Sequence, residues 1–191
     1  MFYLCTILGG GLLIAVGNLA LAGFDLSRLG IIALGVAVGI VAIIALDGLV
    51  ALAIRRLMPK AWFAADRRAF TVSKSERDAY VKLKIKSWKD LVPELGLFTG
   101  FSKSDLKNTN DSAYLARFLL ESNYGVVIHL VNALLGFFIL FIPLCAAPTI
   151  WIPIFIVNFV LSLLPVAILR YTAYTLQRLY RRTQKKTQAD H

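Results

Sequence analysis

Two ionisable side chains stand inside long apolar stretches of this sequence, and both are able to move protons. Asp47 lies eight residues before Arg55, and His129 lies eight residues after Glu121. At about 1.5 Å per residue, each side chain is about 12 Å from the charged residue that bounds its helix. Since an ionisable group within a membrane span costs at least a few kcal/mol, both are functional candidates. We predict a catalytic pair in which the Asp47 carboxylate orients His129 as a general base. The alternative is that both are buried polar residues that serve helix packing.

Glu121 and Asn132 extend this polar group along the same helix. Glu121 and His129 differ by about 80° around a helix of 3.6 residues per turn, so they can face one cavity without touching. Gly125 between them leaves space, and Asn132 follows one turn beyond His129. We predict that Glu121 is a further catalytic residue and that Asn132 binds substrate. For Glu121, the alternative is a solvated residue at a helix entrance.

The elements that position these residues are transmembrane helices. The chain of 191 residues is 58% hydrophobic and 17% charged, and its mean hydropathy is +0.70. A spanning helix needs about 20 mostly apolar residues. The fold class predicted is an all-α integral membrane protein, with four transmembrane helices and a cytoplasmic interfacial segment between helices 2 and 3. We treat residues 1–191 as one membrane domain, with helices at about 2–22, 29–54, 124–143 and 149–170.

The positions of the basic residues predict the orientation of these helices. Of 21 Lys and Arg residues, only Arg28 lies outside Arg55–Arg117 and Arg170–Lys186. Positive charge favours the cytoplasmic side, so we expect a multi-pass protein of the cell membrane with both termini cytoplasmic. The net charge of +10 favours anionic lipid head groups as a partner, and its position at the membrane boundary argues against nucleic acid. The alternative is capture of a polyanionic cytoplasmic substrate.

Two basic segments lie outside the predicted spans. We expect residues 55–123 to form a cap on the membrane surface, and residues 171–191 to extend the last helix as a basic tail. If residues 81–86 are extended, their Val, Leu and Ile side chains form an apolar edge and their lysines a basic edge. Pro143 and Pro148 predict a tight turn between the last two spans. Arg170 closes the last span, either as an anchor at the cytoplasmic boundary or as a group that recognises phosphate or developing negative charge.

Other classes of site have no support in the sequence. Cys5 and Cys145 lie in apolar surroundings without metal or redox spacing, and we interpret both as packing residues. We find no zinc spacing, glycine-rich phosphate loop or serine-nucleophile motif, so we expect neither a cofactor nor a metal. The first apolar stretch begins without Lys or Arg, so we expect a retained helix and not a cleaved secretory signal.

Three separated strings carry a resemblance to a known family. Glu76 and Tyr80 precede the first, IKSWKDLVPELGLFTGFSKSDL, which covers residues 85–106; the second is ESNYGVVIH from Glu121 to His129, and the third is LLPVAILRY from Leu163 to Tyr171. Their order resembles that of the glycosyl-4,4'-diaponeurosporenoate acyltransferases, small membrane enzymes that esterify glycosylated carotenoids. The chain departs from the family pattern at Tyr124, Val126 and Thr172. The departure at 126 removes a carboxylate one helical turn from His129.

The resemblance implies a function in carotenoid biosynthesis. It implies a membrane acyltransferase that moves a fatty acyl group onto a hydroxyl or amine of a lipid-like acceptor, such as a glycosylated carotenoid. We expect acyl-CoA or a phospholipid as the acyl donor, and Arg170, Tyr171, Trp88 and Lys89 as substrate-binding residues. Arg170 is the nearest candidate for stabilising an oxyanion. The alternative is a non-catalytic membrane subunit that binds lipid or scaffolds a pathway, which the Val126 departure favours.

Overall fold

The computed structural model describes residues 2–92 and 108–189, and the regular structure in these residues is entirely helical. Six α-helices follow one another along the chain: α1 (Phe2–Leu21), α2 (Leu29–Leu57), α3 (Lys74–Lys82), α4 (Ile85–Trp88), α5 (Ser112–Leu135) and α6 (Pro148–Ala189). Short 3-10 helices connect or extend them at Leu26–Arg28, Lys60–Phe63, Arg68–Phe70, Lys89–Leu91, Gly136–Phe141 and Pro143–Cys145.

Three helical stretches are long and apolar enough to cross a membrane. They are Leu26–Leu57, Ser112–Phe141 and Pro148–Lys186. α1 contributes a shorter apolar stretch, Cys5–Leu21. Large apolar side chains along these helices are exposed, including Leu13, Val41 and Leu134, as expected for surfaces that contact lipid. The apolar helices therefore indicate a membrane protein, while the number of four spans and their orientation stay predictions.

α6 is much longer than a single span requires. Its 42 residues extend over roughly 60 Å, about twice the thickness of the hydrocarbon layer. Its first half is apolar, and from Arg170 onward it carries the basic residues predicted to form a tail. Pro153 and Pro165 lie within the helix without ending it, which membrane helices tolerate.

The chain divides into two compact units. The first comprises Met1–Ala53 and Ile128–Leu163, and the second comprises Ile54–Val127 and Leu164–His191. In the first unit, α2 packs against the 136–145 connection and the start of α6 around a core of Val36, Ile43, Ile139, Cys145, Ile150 and Ile154. A Cβ on Gly35 would lie 2.6 Å from the Leu144 carbonyl oxygen. Only glycine permits this close approach of α2 to the connection.

The second unit has its own core, in which the segment after α2 packs against α5 and α6. Its buried members are Val72, Leu115, Phe118, Leu119, Ala173 and Leu176. Gln177 of α6 connects the segment by two hydrogen bonds: Oε1 accepts from the Val72 amide at 3.1 Å, and Nε2 donates to the Phe70 carbonyl at 2.8 Å. The described part of the predicted cap is therefore folded onto helix surfaces.

Residues 81–86 do not form the extended edge that their alternation allowed. α3 continues to Lys82, and Lys84 has a left-handed backbone with φ of 52°. The chain then begins α4, so Ile85 is fully buried while Val81 and Leu83 stay exposed. The alternation was consistent with a strand, but no neighbouring strand exists among the described residues to pair with one.

Candidate active site

Several polar side chains lie within the apolar helices of the first unit, and four of them bear on the predicted site. Asp47 lies on α2, His129 and Asn132 on α5, and Asn158 on α6. The amide of Asn158 donates to the Asn132 carbonyl at 3.2 Å. Asn132 itself is 97% buried, and its Oδ1 has no hydrogen-bond partner. The same is true of Oδ1 of the half-buried Asp47. Two buried oxygen acceptors in this unit thus have no hydrogen-bond donor among the described residues, which is costly in an apolar surrounding.

Asp47 and His129 belong to the same unit but do not form a bonded pair. Between these two side chains, the described structure contains neither a hydrogen bond nor an ion pair. Both are half-buried. A neutral imidazole presents one acceptor nitrogen, which is what abstraction of a hydroxyl proton requires. Their catalytic roles stay predictions.

Glu121 lies in the second unit, where Arg55 neutralises it. Arg55 Nη2 is 2.8 Å from Glu121 Oε2. This distance is that of an ion pair, although the contact lacks hydrogen-bond geometry and leaves Oε2 without a hydrogen-bond partner. The Arg55 guanidinium also lies 5.2 Å from the centre of the Tyr124 ring, which stacks on Phe63 at 3.9 Å. These contacts give Glu121 a structural partner that the sequence did not indicate.

A second charged cluster connects α3 to α6. Arg170 donates from Nε to Glu76 Oε1 and from Nη2 to Glu76 Oε2, both at 2.7 Å. The Tyr80 hydroxyl donates to Glu76 Oε1 at 2.9 Å. Two parallel bonds between a guanidinium and a carboxylate are the strongest and most directional ion pair that side chains form. The cluster therefore fixes the orientation of Arg170.

The hydrogen bonds of Glu76 also change its ionisation. Its bonds from Arg170, and secondarily from Tyr80, lower the pKa of the Glu76 carboxyl below its usual value, although partial burial opposes the shift. Burial, together with the bond to Glu76, raises the pKa of Tyr80. Near neutral pH, Glu76 is therefore a carboxylate and Tyr80 a neutral phenol that donates.

The other predicted binding residues of the second unit have different contacts. Trp88 donates from Nε1 to the Leu83 carbonyl at 3.0 Å, which closes the turn before α4. Lys89 Nζ lies 3.9 Å from Asp90 Oδ1. Tyr171 is half-buried on α6 beside Arg170. The structure thus joins Arg170 to Glu76 and Tyr80, whereas the contacts of Trp88 and Lys89 described above are with other residues.

The sequence of this chain matches one known protein family. The sequence pattern of the glycosyl-4,4'-diaponeurosporenoate acyltransferase family matches residues 59–182, which is more than half of the chain. The chain belongs to this family. Membership implies an acyltransferase of carotenoid biosynthesis, as the resemblance of the three strings predicted. Neither the curated proteins nor the solved structures contain a match.

The family match covers most of the candidate residues but not all of them. Glu76, Tyr80, Glu121, His129 and Arg170 all lie within it, whereas Asp47 precedes it. The rest of the first family string, residues 93–106, lies outside the described structure. The assignment of Asp47 therefore depends on its burial and its unpaired oxygen alone.

The positions that depart from the family pattern have local packing partners. Tyr124 is stacked between Phe63 and the Arg55 guanidinium. Val126 is 94% buried, and Thr172 donates from its hydroxyl to the Ile168 carbonyl at 2.9 Å. At position 126 a valine occupies a buried site without any need for a hydrogen-bond partner. A carboxylate at the same buried position would need a hydrogen-bond donor or a positive charge beside it.

Glu76 and Tyr80 were missed as site residues by reasoning from the sequence alone. Their spacing of four residues, before a string of the family pattern, was the signal that could have found them. Among residues 2–92 and 108–189, no three His, Cys, Asp or Glu side chains are grouped so that they could hold a metal ion.

Proposed function

We propose that this protein is a membrane acyltransferase that moves a fatty acyl group onto a hydroxyl of a lipid-like acceptor, such as a glycosylated carotenoid. The family match over residues 59–182 carries the proposal. The structure supports it with unpaired polar groups among apolar helices, which suit an acceptor with a hydroxyl group and a long apolar body.

In the proposed reaction, His129 is the general base. The acceptor oxygen attacks the carbonyl carbon of an acyl thioester while its proton passes to the imidazole. The tetrahedral intermediate then expels the thiolate, which recovers that proton from His129 and leaves as a thiol. The new ester bond replaces the thioester bond, and the enzyme returns to its starting state. A base positioned in this way contributes about 10²- to 10⁴-fold to the rate.

Asp47 and Asn132 are proposed to orient the acceptor. Each has a buried oxygen without a hydrogen-bond partner. An acceptor hydroxyl or sugar hydroxyl can donate to these oxygens, which would remove the cost of leaving them unpaired. Arg55 neutralises Glu121. Glu121 is therefore proposed to support the site through this ion pair and not to take part in proton transfer. Trp88, Lys89 and Tyr171 stay proposals for substrate contact.

Arg170 is proposed to contribute through its remaining donors. Its hydrogen bonds to Glu76 and to the Thr71 carbonyl use Nε and Nη2. Nη1 takes part in none of them, and it can donate to a carbonyl or phosphate oxygen. Because Glu76 fixes the guanidinium plane, such a bond would form with little loss of side-chain freedom.

The proposed location is the cell membrane, with several spans and with both termini and the basic segment in the cytoplasm. Apolar helices support membrane association, and the distribution of Lys and Arg supports the orientation. In this arrangement, a cytoplasmic acyl thioester and anionic lipid head groups both meet basic surface.

A non-catalytic scaffold is the second candidate. The buried Val126 favours it, because the family resemblance implies a carboxylate at this position. The two functions differ in whether the protein changes the acylation state of a lipid.

Mass spectrometry of lipid extracts tests the proposal. Cells that make a glycosylated carotenoid would express the protein, its His129→Ala variant or neither. We expect acylated acceptor only with the unmodified protein, at equal amounts of membrane-inserted chain. An identical acylated pool in all three would favour the scaffold. Purified protein in neutral lipid discs, supplied with acceptor and labelled acyl-CoA or labelled phospholipid, would then identify the donor.

A further inference from the structure

The second unit contains a basic cavity, and none of the candidate site residues discussed above lines it. It has a volume of about 200 Å³ and is open to solvent, and its lining residues are Arg77, Tyr174, Thr175, Arg178, Leu179 and Arg182. Arg77 belongs to α3, and the others belong to the polar half of α6. Three arginines thus line one concave surface.

An aromatic ring holds two of these guanidinium groups in place. The Arg77 guanidinium lies 5.3 Å from the centre of the Tyr174 ring, and that of Arg178 lies 5.8 Å from the same centre. Cation–π contacts at such distances are favourable by about 0.5–1 kcal/mol at exposed sites. The shared ring therefore keeps two positive charges near each other at the cavity wall.

Among the described residues, a carboxylate pairs with only one of the three arginines of this cavity. Arg77 lies 3.6 Å from Asp78, whose side chain is half-exposed. Arg178 and Arg182 have no ion pair in the described ranges 2–92 and 108–189. They are four residues apart on α6, where like charges repel each other. Concentrated positive charge of this kind is stabilised by an anion.

The geometry points to a phosphate-binding site. We propose that this cavity binds a phosphate or diphosphate group, with Arg178 and Arg182 as its main donors and Arg77 as the third. Planar guanidinium groups donate two bonds at once to phosphate oxygens. A volume of about 200 Å³ is several times the roughly 30 Å³ that one water occupies in the liquid. A phosphate or diphosphate fits, whereas a whole nucleotide would extend outside.

Two molecules present this chemistry at a cytoplasmic membrane surface. One is the soluble acyl donor, whose coenzyme A part carries a diphosphate and a phosphomonoester. The other is an anionic phospholipid. The assignment to the acyl donor rests on the proposed function, whereas the phosphate site itself does not.

Binding of coenzyme A tests the site without any turnover. The full chain would be placed in discs of phosphatidylcholine, and the affinity would be measured by calorimetry, with inorganic diphosphate as a competitor. Arg178→Gln with Arg182→Gln should weaken binding by about tenfold or more, since bonds to charged groups are lost.

A double variant of the same helix provides the matched control. Lys185→Gln with Lys186→Gln removes the same charge from α6 at residues that do not line the cavity. We expect this control to weaken binding clearly less than the arginine variant, because neither lysine lines the cavity and salt screens the contribution of exposed charges that do not contact the ligand. Equal weakening in both double variants would overturn the proposal, since it would indicate general surface charge. If the glutamine variant misfolds, Arg178→Lys with Arg182→Lys retains the charge but loses the two-point donation, and it should still bind more weakly.

Discs that contain phosphatidylglycerol distinguish the two sources. If coenzyme A binds with the same affinity in these discs, the soluble donor is the ligand. If phosphatidylglycerol lowers the affinity for coenzyme A in the wild type, and native mass spectrometry detects bound phosphatidylglycerol that the double arginine variant loses, the head group is the ligand. If neither the binding of coenzyme A nor that of phosphatidylglycerol depends on Arg178 and Arg182, the phosphate site is wrong. This holds whether or not the protein has acyltransferase activity.

Discussion

Glu76 holds Arg170 by two hydrogen bonds of 2.7 Å, one to each carboxylate oxygen. The pair joins α3 to α6, residues 94 positions apart in the chain. Its side chains are only 16% and 27% exposed, for Arg170 and Glu76 respectively. Water therefore screens this ion pair less than the surface pairs of the same unit.

Glu76→Gln should destabilise the protein. It leaves a half-buried guanidinium without its counter-charge, so we expect a loss of about 1–3 kcal/mol, as measured by thermal unfolding in detergent. Asp78→Asn is the matched control on the same helix, because its contact with Arg77 is 3.6 Å and half-exposed; its effect should stay below about 0.5 kcal/mol. Equal effects would contradict the special role of the pair.

The stability gained from Glu76 should depend on pH. Because the ion pair lowers the pKa of Glu76, the unfolded state binds this proton more readily than the folded state. The gain is complete above the ordinary glutamate pKa of about 4.3, and it is lost as the pH falls through the lower pKa of the folded state. The difference in melting temperature between wild type and Glu76→Gln should therefore shrink below about pH 4. A difference independent of pH would contradict this linkage.

His129→Ala should abolish acyl transfer and leave membrane insertion intact. The expected loss is about 10²-fold or more in kcat, since a general base contributes at least that much. Asp47→Asn should reduce the activity less, because the amide keeps one acceptor oxygen and loses only the charge. Rates in lipid discs, at equal amounts of folded protein, give the measurement. Normal activity of His129→Ala would remove the base assignment.

Gly35→Ala should destabilise the first unit. Its Cβ would lie 2.6 Å from the Leu144 carbonyl oxygen, which belongs to the backbone and cannot rotate away. Gly48 of the same helix has open space around its Cβ position, so Gly48→Ala should be neutral or stabilise the helix by up to about 1 kcal/mol. Thermal unfolding of both variants checks this, and a neutral Gly35→Ala would show that the connection can move without cost.

Cysteine labelling checks the predicted orientation. After replacement of Cys5 and Cys145, Ala146→Cys should react with an impermeant reagent added outside intact cells, because it lies in a turn without charge. Lys86→Cys, in the basic segment, should react only after the membrane is opened. The reverse pattern would show that the orientation is inverted.

Several features followed from the sequence by itself. Runs of about 20 apolar residues specify membrane helices because the backbone must satisfy its own hydrogen bonds in hydrocarbon. The helix after Pro148 and the turn before it followed from proline chemistry. The three family strings were also readable, because residue identity and order do not depend on the fold.

The pairing of charges was decided only by the tertiary structure. Arg55 with Glu121, and Arg170 with Glu76, join residues far apart in sequence, and each charge had several possible partners at the same membrane boundary. The same holds for Gly35, whose close approach to Leu144 distinguishes it from glycines with open space around them. The sequence shows which charged residues need a partner. Only the packing of the helices determines which oppositely charged side chain lies within 3 Å of each one.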